Sequence, residues 1–495
     1  MNKSKNNNPV YLLSAYLRQW KGRVLKASTY SVLNKLFDVA PEVLIGVAVD
    51  LVVKKNQSFV ASLGFESINS QVLFIGGLTF AIWVLESLFE YLYLIEWRGL
   101  AQNLEHDLRV RAYDHAQLLD LSWHEKQTIG NITSILNDDV NQLERFLNNG
   151  VNQIIQVTTS TILIGIIFFY ISPLIASIAI VPVPIIFFIG VSFQKKLSPR
   201  YKTIREKVGA LNTTIVNNLM GIQIIKSLMT FSFEKQSVTK MSQEYQQENI
   251  RAISISSAFN PLIRMGVLAG FLGTMLIGSY MALNGTLEVG SYSVLVFLTQ
   301  RFLWPFTTLS ILIDDFERTM ASTKRIFNMM EVDRRIKNID SPIILKDCKA
   351  DILFQNVGFS YDGQKPLFED FNLSIPFGSS IGIVGDTGSG KTTIAKLLLR
   401  LYDIDKGKIT IGDTSINSID ISFLRRRIGI VNQSPFLFNA TIKDNIGYGL
   451  NNLTMDQIEH AANQSQATEF IEKLPKGFDT MVGERGQMLS GGQQQ

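Results

Sequence analysis

The chain is poor in cysteine and close to neutral in charge. Its single cysteine, Cys348, excludes an intramolecular disulfide and provides no metal-ligand spacing, so we interpret it as a buried or tolerated thiol. The formal net charge of +4 is too small to predict a nucleic-acid partner. Residues 1–9 are polar and lack the apolar core of a cleavable signal peptide, so membrane insertion would depend on the first spanning helix.

Charged residues are also missing from one long stretch of the chain. No Asp, Glu, Lys or Arg occurs between positions 146 and 194, whereas charges recur every few residues from Asp351 onward. The chain as a whole is 46% hydrophobic and 18% charged, and its 495 residues are too many for one domain. The sequence therefore predicts a membrane-embedded half followed by a soluble α/β half.

Six segments are long and apolar enough to cross a bilayer, which takes about 20 residues in a helix. They lie at positions 28–53, 71–96, 150–171, 174–194, 253–283 and 289–313. Ser172-Pro173 and Asn284-Gly285 predict tight turns between consecutive spans. The polar segments 97–146 and 195–252 have a helical period, which predicts long helical extensions outside the membrane.

The distribution of Lys and Arg predicts the orientation of these spans. The N-terminal arm and the two long polar segments carry most of the cations near the membrane, whereas the opposite side offers only Lys54 and Lys55. We therefore expect the N-terminus, both long segments and the C-terminal half to lie in the cytoplasm.

Several ionisable residues interrupt the predicted spans: Asp38, Glu42, Glu86, Glu90, Arg264 and Arg301. Because a charge in lipid is unfavourable, such a side chain is expected to face a water-filled cavity or another charge. Arg301 could line a substrate pathway, or it could bridge to Glu86 or Glu90. The sequence leaves both interpretations open.

A glycine-rich segment in the soluble half predicts a nucleotide site. Gly385-Asp386-Thr387-Gly388-Ser389-Gly390-Lys391-Thr392 fits the pattern G-x-x-x-x-G-K-[ST]. Residues 380–384 before it are typical of a buried strand, and residues 392–401 after it are typical of a helix. We expect the backbone N–H groups to surround the phosphates, Lys391 to reach the β- and γ-phosphates, and Thr392 to bind Mg²⁺.

A second glycine-rich run, Leu489-Ser490-Gly491-Gly492-Gln493, follows about a hundred residues later. It cannot complete the same pocket, because the Lys391 loop already covers those phosphates. Together the two segments resemble the ATP-binding cassette (ABC) family, in which two facing cassettes each complete the other's ATP site. A membrane half followed by one cassette is similar to an ABC exporter half-transporter, and the resemblance covers about residues 20 to 495.

The resemblance implies further roles. Tyr361 stands where an aromatic ring stacks on adenine, and Gln433 where the Q-loop glutamine reaches Mg²⁺ and the attacking water. It implies Lys391 and Gln433 as catalytic residues, and Thr392 and Gln433 as Mg²⁺ ligands. The residues expected to contact ATP are Tyr361, Gly385, Asp386, Thr387, Gly388, Ser389, Gly390, Lys391, Thr392, Thr393, Ser490, Gly491, Gly492 and Gln493.

The resemblance also implies how the two halves communicate. Residues 118–140 and 219–227 look like the two intracellular loops of an exporter, and residues 482–486 look like the segment that touches the partner subunit's loops. We expect short coupling helices near positions 123–130 and 230–236. The alternative is that both loop tips are ordinary solvated helix ends, because this assignment rests on analogy of fold.

The sequence departs from the family pattern at its end. It stops two residues past the signature run, before the acidic strand end, the water-activating Glu and the switch His that family cassettes carry. The four histidines, at positions 106, 115, 124 and 460, all lie upstream. We therefore expect this chain to bind ATP and hydrolyse it poorly, and we interpret it as part of a complete exporter.

The expected fold is a six-helix all-α transmembrane domain followed by an α/β P-loop cassette. The expected domains are a cytoplasmic arm (1–27), the transmembrane domain (28–318), a linker (319–350) and the partial cassette (351–495).

The expected function is ATP-dependent export of a lipid or drug-like amphipathic molecule. The expected partners are a second half-transporter, identical or related, and the bilayer of a bacterial inner membrane. The alternative is a non-hydrolytic, ATP-binding regulatory subunit of a heterodimer.

Overall fold

The computed structural model describes residues 8–345, 349–363, 365–433, 435–450 and 452–495. Cys348 and the first seven residues of the N-terminal arm lie outside the described residues. The chain divides into two compact units, which we describe separately. The first comprises Met1–Leu119 and Lys126–Asp333, and the second comprises Asp120–Glu125 and Arg334–Gln495.

The described residues of the first unit are almost entirely helical. The helices from the N-terminus to the end of this unit are α1 (Pro9–Leu17), α2 (Lys21–Lys54), α3 (Phe59–Ser62), α4 (Ile68–Gln117), α5 (Leu121–Lys126, mostly in the second unit), α6 (Ile129–Ser134), α7 (Val140–Arg145), α8 (Val151–Ile171), α9 (Pro173–Ile180), α10 (Pro182–Met220), α11 (Ile222–Leu228), α12 (Phe231–Ser256), α13 (Phe259–Leu283), α14 (Val289–Leu303) and α15 (Leu309–Met330). Short 3-10 turns lie at Arg18–Trp20, Lys55–Gln57 and Trp304–Thr307, and π-helical turns at Ile135–Asp139 and Phe146–Gly150.

Five continuous helical segments of the described chain are long and apolar enough to cross a membrane. They are Ile68–Gln117, Ile129–Ile171, Pro173–Met220, Phe231–Leu283 and Val289–Met330. The first predicted span lies in α2, whose 34 residues extend about 51 Å at 1.5 Å per residue, more than the ~30 Å hydrocarbon core. Its charged residues, among them Asp38 and Glu42, set α2 apart from the five apolar segments.

The predicted turns between spans are confirmed. Ser172 adopts extended backbone angles and its hydroxyl accepts a hydrogen bond from the Ile175 N–H at 3.4 Å, which caps α9 while Pro173 occupies its first position. Gly285 has φ +71°, the left-handed conformation that glycine adopts readily, and it follows the end of α13. The long polar segments are confirmed as helical extensions, since α4 alone runs for 50 residues.

The transmembrane core lies where α2, α8, α9, α10, α13 and α14 meet. Its fully buried members are apolar and include Ile164, Phe168, Ile175, Leu295 and Leu298. Helices α2 and α14 approach closely at Gly46 and Gly290: a Cβ atom at Gly46 would lie 2.8 Å from the Gly290 carbonyl oxygen. Small residues at a helix crossing allow backbones to pack closely in lipid, where apolar attraction between helices is weak.

The second loop tip contains one short helix and the start of a long one. The short helix is α11, Ile222–Leu228, and residues 231–236, within the range predicted for a coupling helix, form the first turns of α12. Gly221 separates α11 from α10, and Met229 has a left-handed backbone conformation that ends α11. A left-handed residue commonly ends a helix, and Met229 therefore separates α11 from α12.

The second unit contains a four-stranded antiparallel sheet in the order β2-β1-β3-β4. The strands are β1 (Ile352–Phe359), β2 (Phe368–Ile375), β3 (Lys406–Ile411) and β4 (Thr414–Ser415), with Phe354 opposite Leu373 on one side and Ile409 on the other. The remaining helices are α16 (Lys391–Leu398), α17 (Ile421–Arg427), α18 (Ile442–Ile446), α19 (Met455–Gln464), α20 (Thr468–Glu472) and α21 (Gly491–Gln494), with 3-10 turns at Gly477–Asp479 and Glu484–Gly486. One apolar core joins the sheet to α16, and a smaller one lies among α18, α19 and α20.

The buried strand expected at positions 380–384 is not formed. These residues have no regular secondary structure, and Ile381, Ile383 and Val384 are 42%, 41% and 96% exposed. A strand is held by hydrogen bonds to a neighbouring strand, and none of the four described strands pairs with this segment. The apolar sequence of residues 380–384 was therefore not enough to predict a strand.

We predict that Gly46→Val weakens the transmembrane unit. The branched side chain would collide with the Gly290 backbone, and overpacking of this kind costs about 1–3 kcal/mol. Gly165→Val in α8 is the matched control, because no atom outside its own helix lies within 4 Å of a Cβ there. Thermal unfolding of the detergent-purified protein should show a lower midpoint for Gly46→Val alone. Equal midpoints for the two variants would contradict the close crossing.

Candidate functional site

The glycine-rich loop at 385–390 leads directly into α16. Gly388 and Gly390 have φ values of +88° and +93°, which bend the loop back on itself, and the Ser389 N–H donates to the Asp386 carbonyl at 3.1 Å. A Cβ at Gly390 would lie 2.6 Å from the Phe368 ring. Glycine is therefore required at Gly390 both for its backbone angle and for the space beside Phe368.

The Lys391 ammonium group lies over this loop. Its Nζ donates to the Gly385 carbonyl at 2.7 Å and to the Asp386 carbonyl at 2.8 Å. Lys391 is the first residue of α16, so the cation and the N–H groups of the helix N-terminus lie at the same place. Both favour anionic oxygen atoms, and this donor set fits a polyphosphate.

Tyr361 is joined to the helix that follows the loop. Its hydroxyl and the Thr393 Oγ1 are 2.9 Å apart, and its ring packs edge-to-face on Phe359 and Tyr402 with centroids 4.9 Å and 5.2 Å away. The Lys396 ammonium lies 5.8 Å from the centre of the Tyr361 ring. The structure thus brings two predicted site residues, Tyr361 and Thr393, into contact.

The other predicted residues do not meet the loop within the described chain. Gln433 is exposed, and no hydrogen bond or ion pair of the described residues connects it with the loop. Ser490 caps the short helix α21: its Oγ accepts from the Gln493 N–H at 3.4 Å, and the Ser490 N–H donates to Gln493 Oε1 at 2.9 Å. The backbone of Gly491 and Gly492 is exposed at the start of that helix.

Sequence reasoning missed a cluster beside Tyr361 that includes a distant part of the chain. Residues Asp120–Glu125 belong to the second unit. Glu125 Oε2 accepts from the Tyr402 hydroxyl at 2.5 Å, and Oε1 accepts from Lys396 Nζ at 3.0 Å. The Asp120 carboxylate accepts from the backbone N–H of Arg335 at 2.7 Å. Both ends of the segment 120–125 therefore form hydrogen bonds with the rest of the second unit.

The carboxylate of Glu125 is paired with the ammonium group of Lys396. Burial alone would raise the pKa of the Glu125 carboxyl, but the hydrogen bonds from Tyr402 and Lys396 outweigh burial and lower that pKa below its ordinary value. Burial and the bond to Glu125 raise the pKa of the Tyr402 phenol. The ionised Glu125 therefore stabilises the cluster above its ordinary pKa of 4.5, and this contribution is lost as the pH falls through the lowered value.

The charges inside the spans have partners that the sequence did not identify. Arg301 forms ion pairs with Asp38 and Glu42, which lie one turn apart on α2. Of the two interpretations that the sequence left open, this is the bridge between helices; among the described residues its partners lie on α2 and not at Glu86 or Glu90 of α4. A contact between α2 and α14 depends on tertiary packing, since Arg301 and Asp38 are 263 residues apart.

Comparison with known families agrees with this organisation. The ABC transporter transmembrane region matches residues 27–306, and the ABC transporter cassette matches residues 368–495.

Among characterised and uncharacterised relatives, the Bacillus subtilis ABC transporter ATP-binding proteins YwjA and YknV are 29% and 31% identical over 84% and 81% of this chain. The ATP-dependent lipid A-core flippase of Aliivibrio fischeri is 30% identical over 81%. The chain spans about two thirds to three quarters of the length of these three relatives: 72%, 67% and 69%.

One solved structure has the same fold. A bacterial Atm1-family ABC exporter with ATP bound superposes with a TM-score of 0.78 at 23% identity, over 97% of this chain and 83% of that one. This likeness supports the fold, a helical transmembrane domain with an ABC cassette, and at this identity it carries no assignment of substrate.

We predict that Lys391→Ala lowers the affinity for MgATP by about ten- to a hundredfold, since it removes a charged hydrogen-bond donor from the loop. Lys408→Ala, at an exposed position of β3, is the control and should bind normally. Isothermal titration of the purified protein with MgATP measures both. Unchanged affinity of Lys391→Ala would contradict the assignment of this loop.

Proposed function

Because the chain belongs to the ABC transporter family, we propose that it forms half of a dimeric exporter that moves a lipid or drug-like amphipathic molecule across a membrane. The cassette makes it an ABC-type ATPase, and its apolar helices make it an integral multi-pass membrane protein. The observation that carries the proposal is the presence on one chain of an exporter-type membrane domain, a phosphate-binding loop and a signature run. The domain boundaries expected from the sequence form part of this proposal.

The substrate class is supported by composition and by relatives. Apolar residues dominate the spans, and relatives include lipid A-core flippases and a Buchnera aphidicola protein described as multidrug resistance-like, MdlA, which is 28% identical over 97% of this chain. A bacterial inner membrane fits these bacterial relatives.

The proposed ATP site uses the loop as follows. Bound ATP with Mg²⁺ supplies the phosphoanhydride bond whose cleavage resets the transporter. Lys391 neutralises the β- and γ-phosphates, Thr392 provides a hydroxyl at the first turn of α16, and Gln433 orients the attacking water. Tyr361 places an aromatic face beside the helix for adenine. In the described residues Ser490–Gln493 make no hydrogen bond to the loop, and by analogy with the family arrangement we assign them to the loop of a second subunit.

The Glu125 cluster suggests how nucleotide binding would reach the membrane helices. Lys396 lies on α16, five residues after Lys391, and it contacts both Glu125 and the Tyr361 ring. A shift of α16 or Tyr361 on nucleotide binding would therefore act on residues 120–125, which lie between α4 and α6 in the chain. The ligand can drive this shift only through a difference in its affinity for the two conformations.

We predict that Tyr402→Phe uncouples transport from ATP hydrolysis. The substitution removes the hydroxyl that donates to Glu125 and keeps the ring that packs on Tyr361, so MgATP affinity should stay within about twofold while substrate-stimulated ATPase activity falls by about tenfold. Tyr448→Phe is the control, because Tyr448 contacts Phe438 through its ring alone. Equal stimulation in the two variants would contradict coupling through Glu125.

The export function itself is tested in proteoliposomes with a panel of fluorescent lipids, drugs and peptides. We expect ATP-dependent movement of an amphipathic lipid or drug and none of a hydrophilic peptide. ATP binding without turnover or transport by the purified full-length assembly would instead identify a regulatory subunit.

A further inference from the structure

A cavity of about 430 Å³ lies among α10, α13 and α15 in the membrane unit, within the ~300–1,000 Å³ of ligand pockets. It follows α10 from Ile186 to Ser198, a distance of about 18 Å at 1.5 Å per residue. Ile186 lies near the middle of the predicted span 174–194, and Ser198 lies beyond its cytoplasmic end. The cavity therefore covers about the depth of one leaflet, which is half of a ~30 Å hydrocarbon core.

The part of the cavity inside the predicted span is apolar. Ile263 of α13, which is only 2% exposed, and the rings of Phe259 and Phe306 line it. Each ring packs on a second ring that does not line the cavity. Phe259 packs on Phe193 with centroids 5.4 Å apart, and Phe306 packs on Phe302 with centroids 5.7 Å apart. These contacts hold the walls in place, and walls of this kind favour a hydrocarbon chain.

The cytoplasmic end of the cavity is polar. Four polar side chains line it: Gln194, Lys195, Ser198 and Glu317. Within the part of the chain that the structure describes, none of the four takes part in a hydrogen bond or an ion pair. Charges further along α10 do have partners, as in the pairs Arg200–Glu248 and Lys207–Glu244. One cation, one anion and two neutral polar groups are therefore available to a ligand at this end.

A backbone acceptor at the same end lacks its usual helical partner. Pro199 lies inside α10 and has no N–H, so the Lys195 carbonyl does not receive the hydrogen bond that residue 199 of a regular helix would donate. Pro199 itself lines the cavity. A primary ammonium group carries three N–H donors and no acceptor, so a carboxylate and a free carbonyl together suit it.

We propose that this cavity binds one phospholipid of the cytoplasmic leaflet whose head group ends in a primary ammonium, phosphatidylethanolamine. Lys195 and Ser198 donate to its phosphate. The Glu317 carboxylate and the Lys195 carbonyl accept from its ammonium group. One acyl chain lies between the rings of Phe259 and Phe306.

The head group is selected by the two opposite charges that are unpaired at one end of the cavity. A phospholipid with a net negative head group would pair with Lys195 and leave Glu317 without a cation. The quaternary ammonium of a choline lipid has no N–H to donate to Glu317. The inference goes beyond the proposed export function, because it concerns a bound membrane lipid whether or not that lipid is transported.

Binding of single lipids to the purified full-length protein tests the proposal. Dioleoyl phosphatidylethanolamine, phosphatidylcholine and phosphatidylglycerol carry the same acyl chains and differ in the head group. Native mass spectrometry of the delipidated protein without nucleotide measures the dissociation constant of the first bound lipid. We expect phosphatidylethanolamine to bind about tenfold more tightly than the other two. Equal affinities for the three lipids, which indicate a nonspecific lipid shell, or no binding at all would overturn the proposal.

Variants locate the site. Glu317→Gln keeps the shape and removes the carboxylate, so it should weaken phosphatidylethanolamine binding by about tenfold and leave phosphatidylglycerol binding unchanged. Lys195→Gln should weaken binding of all three lipids, because each carries a phosphate. Glu206→Gln is the matched control, since Glu206 lies on α10 outside the cavity and pairs with Lys202.

The comparison of lipids uses the unmodified protein and does not depend on whether a variant folds. An unchanged preference for phosphatidylethanolamine in Glu317→Gln with a normal thermal midpoint would contradict the assignment of the head group to this cavity.

The site and the export function fail separately. Selective phosphatidylethanolamine binding that depends on Glu317, in a protein that exports nothing, would support the site and contradict the export function. ATP-driven export by a protein that binds the three lipids equally would support export and contradict the site.

Discussion

In the described residues, the glycine-rich loop is hydrogen-bonded only within itself and to the residues of α16 that follow it. Lys391 spans the carbonyls of Gly385 and Asp386, and Tyr361 reaches α16 through Thr393. No hydrogen bond or ion pair in the described residues connects the loop with Ser490–Gln493. If ATP binds to this loop as proposed, its γ-phosphate would remain accessible to the signature run of a second subunit. The proposed dimer formation, closure around ATP and coupling to the membrane helices all depend on this incomplete pocket.

The structure connects the glycine-rich loop and α16 with residues 120–125, which follow the long helix α4 in the chain. Glu125 binds Tyr402 and Lys396, and Lys396 shares α16 with Lys391. Tyr361 and Lys391, which we propose contact adenine and phosphate, and residues 120–125 thus lie around the same helix, α16. In the membrane unit, ion pairs from Arg301 to Asp38 and Glu42 connect α14 with α2.

Features set by local sequence could be predicted, and features set by distant contacts could not. The turns at Ser172-Pro173 and Asn284-Gly285 and the long helical extensions follow from neighbouring residues and were correct. The strand at 380–384 was wrong because a strand needs a neighbour to pair with. The end of α11 could not be predicted, because its boundary is a left-handed residue, Met229, that has no strong sequence signal. The pairs Arg301–Asp38 and Glu125–Tyr402 are 263 and 277 residues apart, so packing alone selects them.

The most direct test of this account is a cross-link between two copies of the chain. In a full-length, cysteine-free background (Cys348→Ser), Thr387→Cys in the loop and Ser490→Cys before α21 place one thiol on each proposed half of the pocket. A short bifunctional maleimide should yield cross-linked dimers when MgATP is present and few without it. Dimers that form equally with and without nucleotide, or that do not form at all in an assembly that binds MgATP, would contradict a nucleotide shared between two subunits.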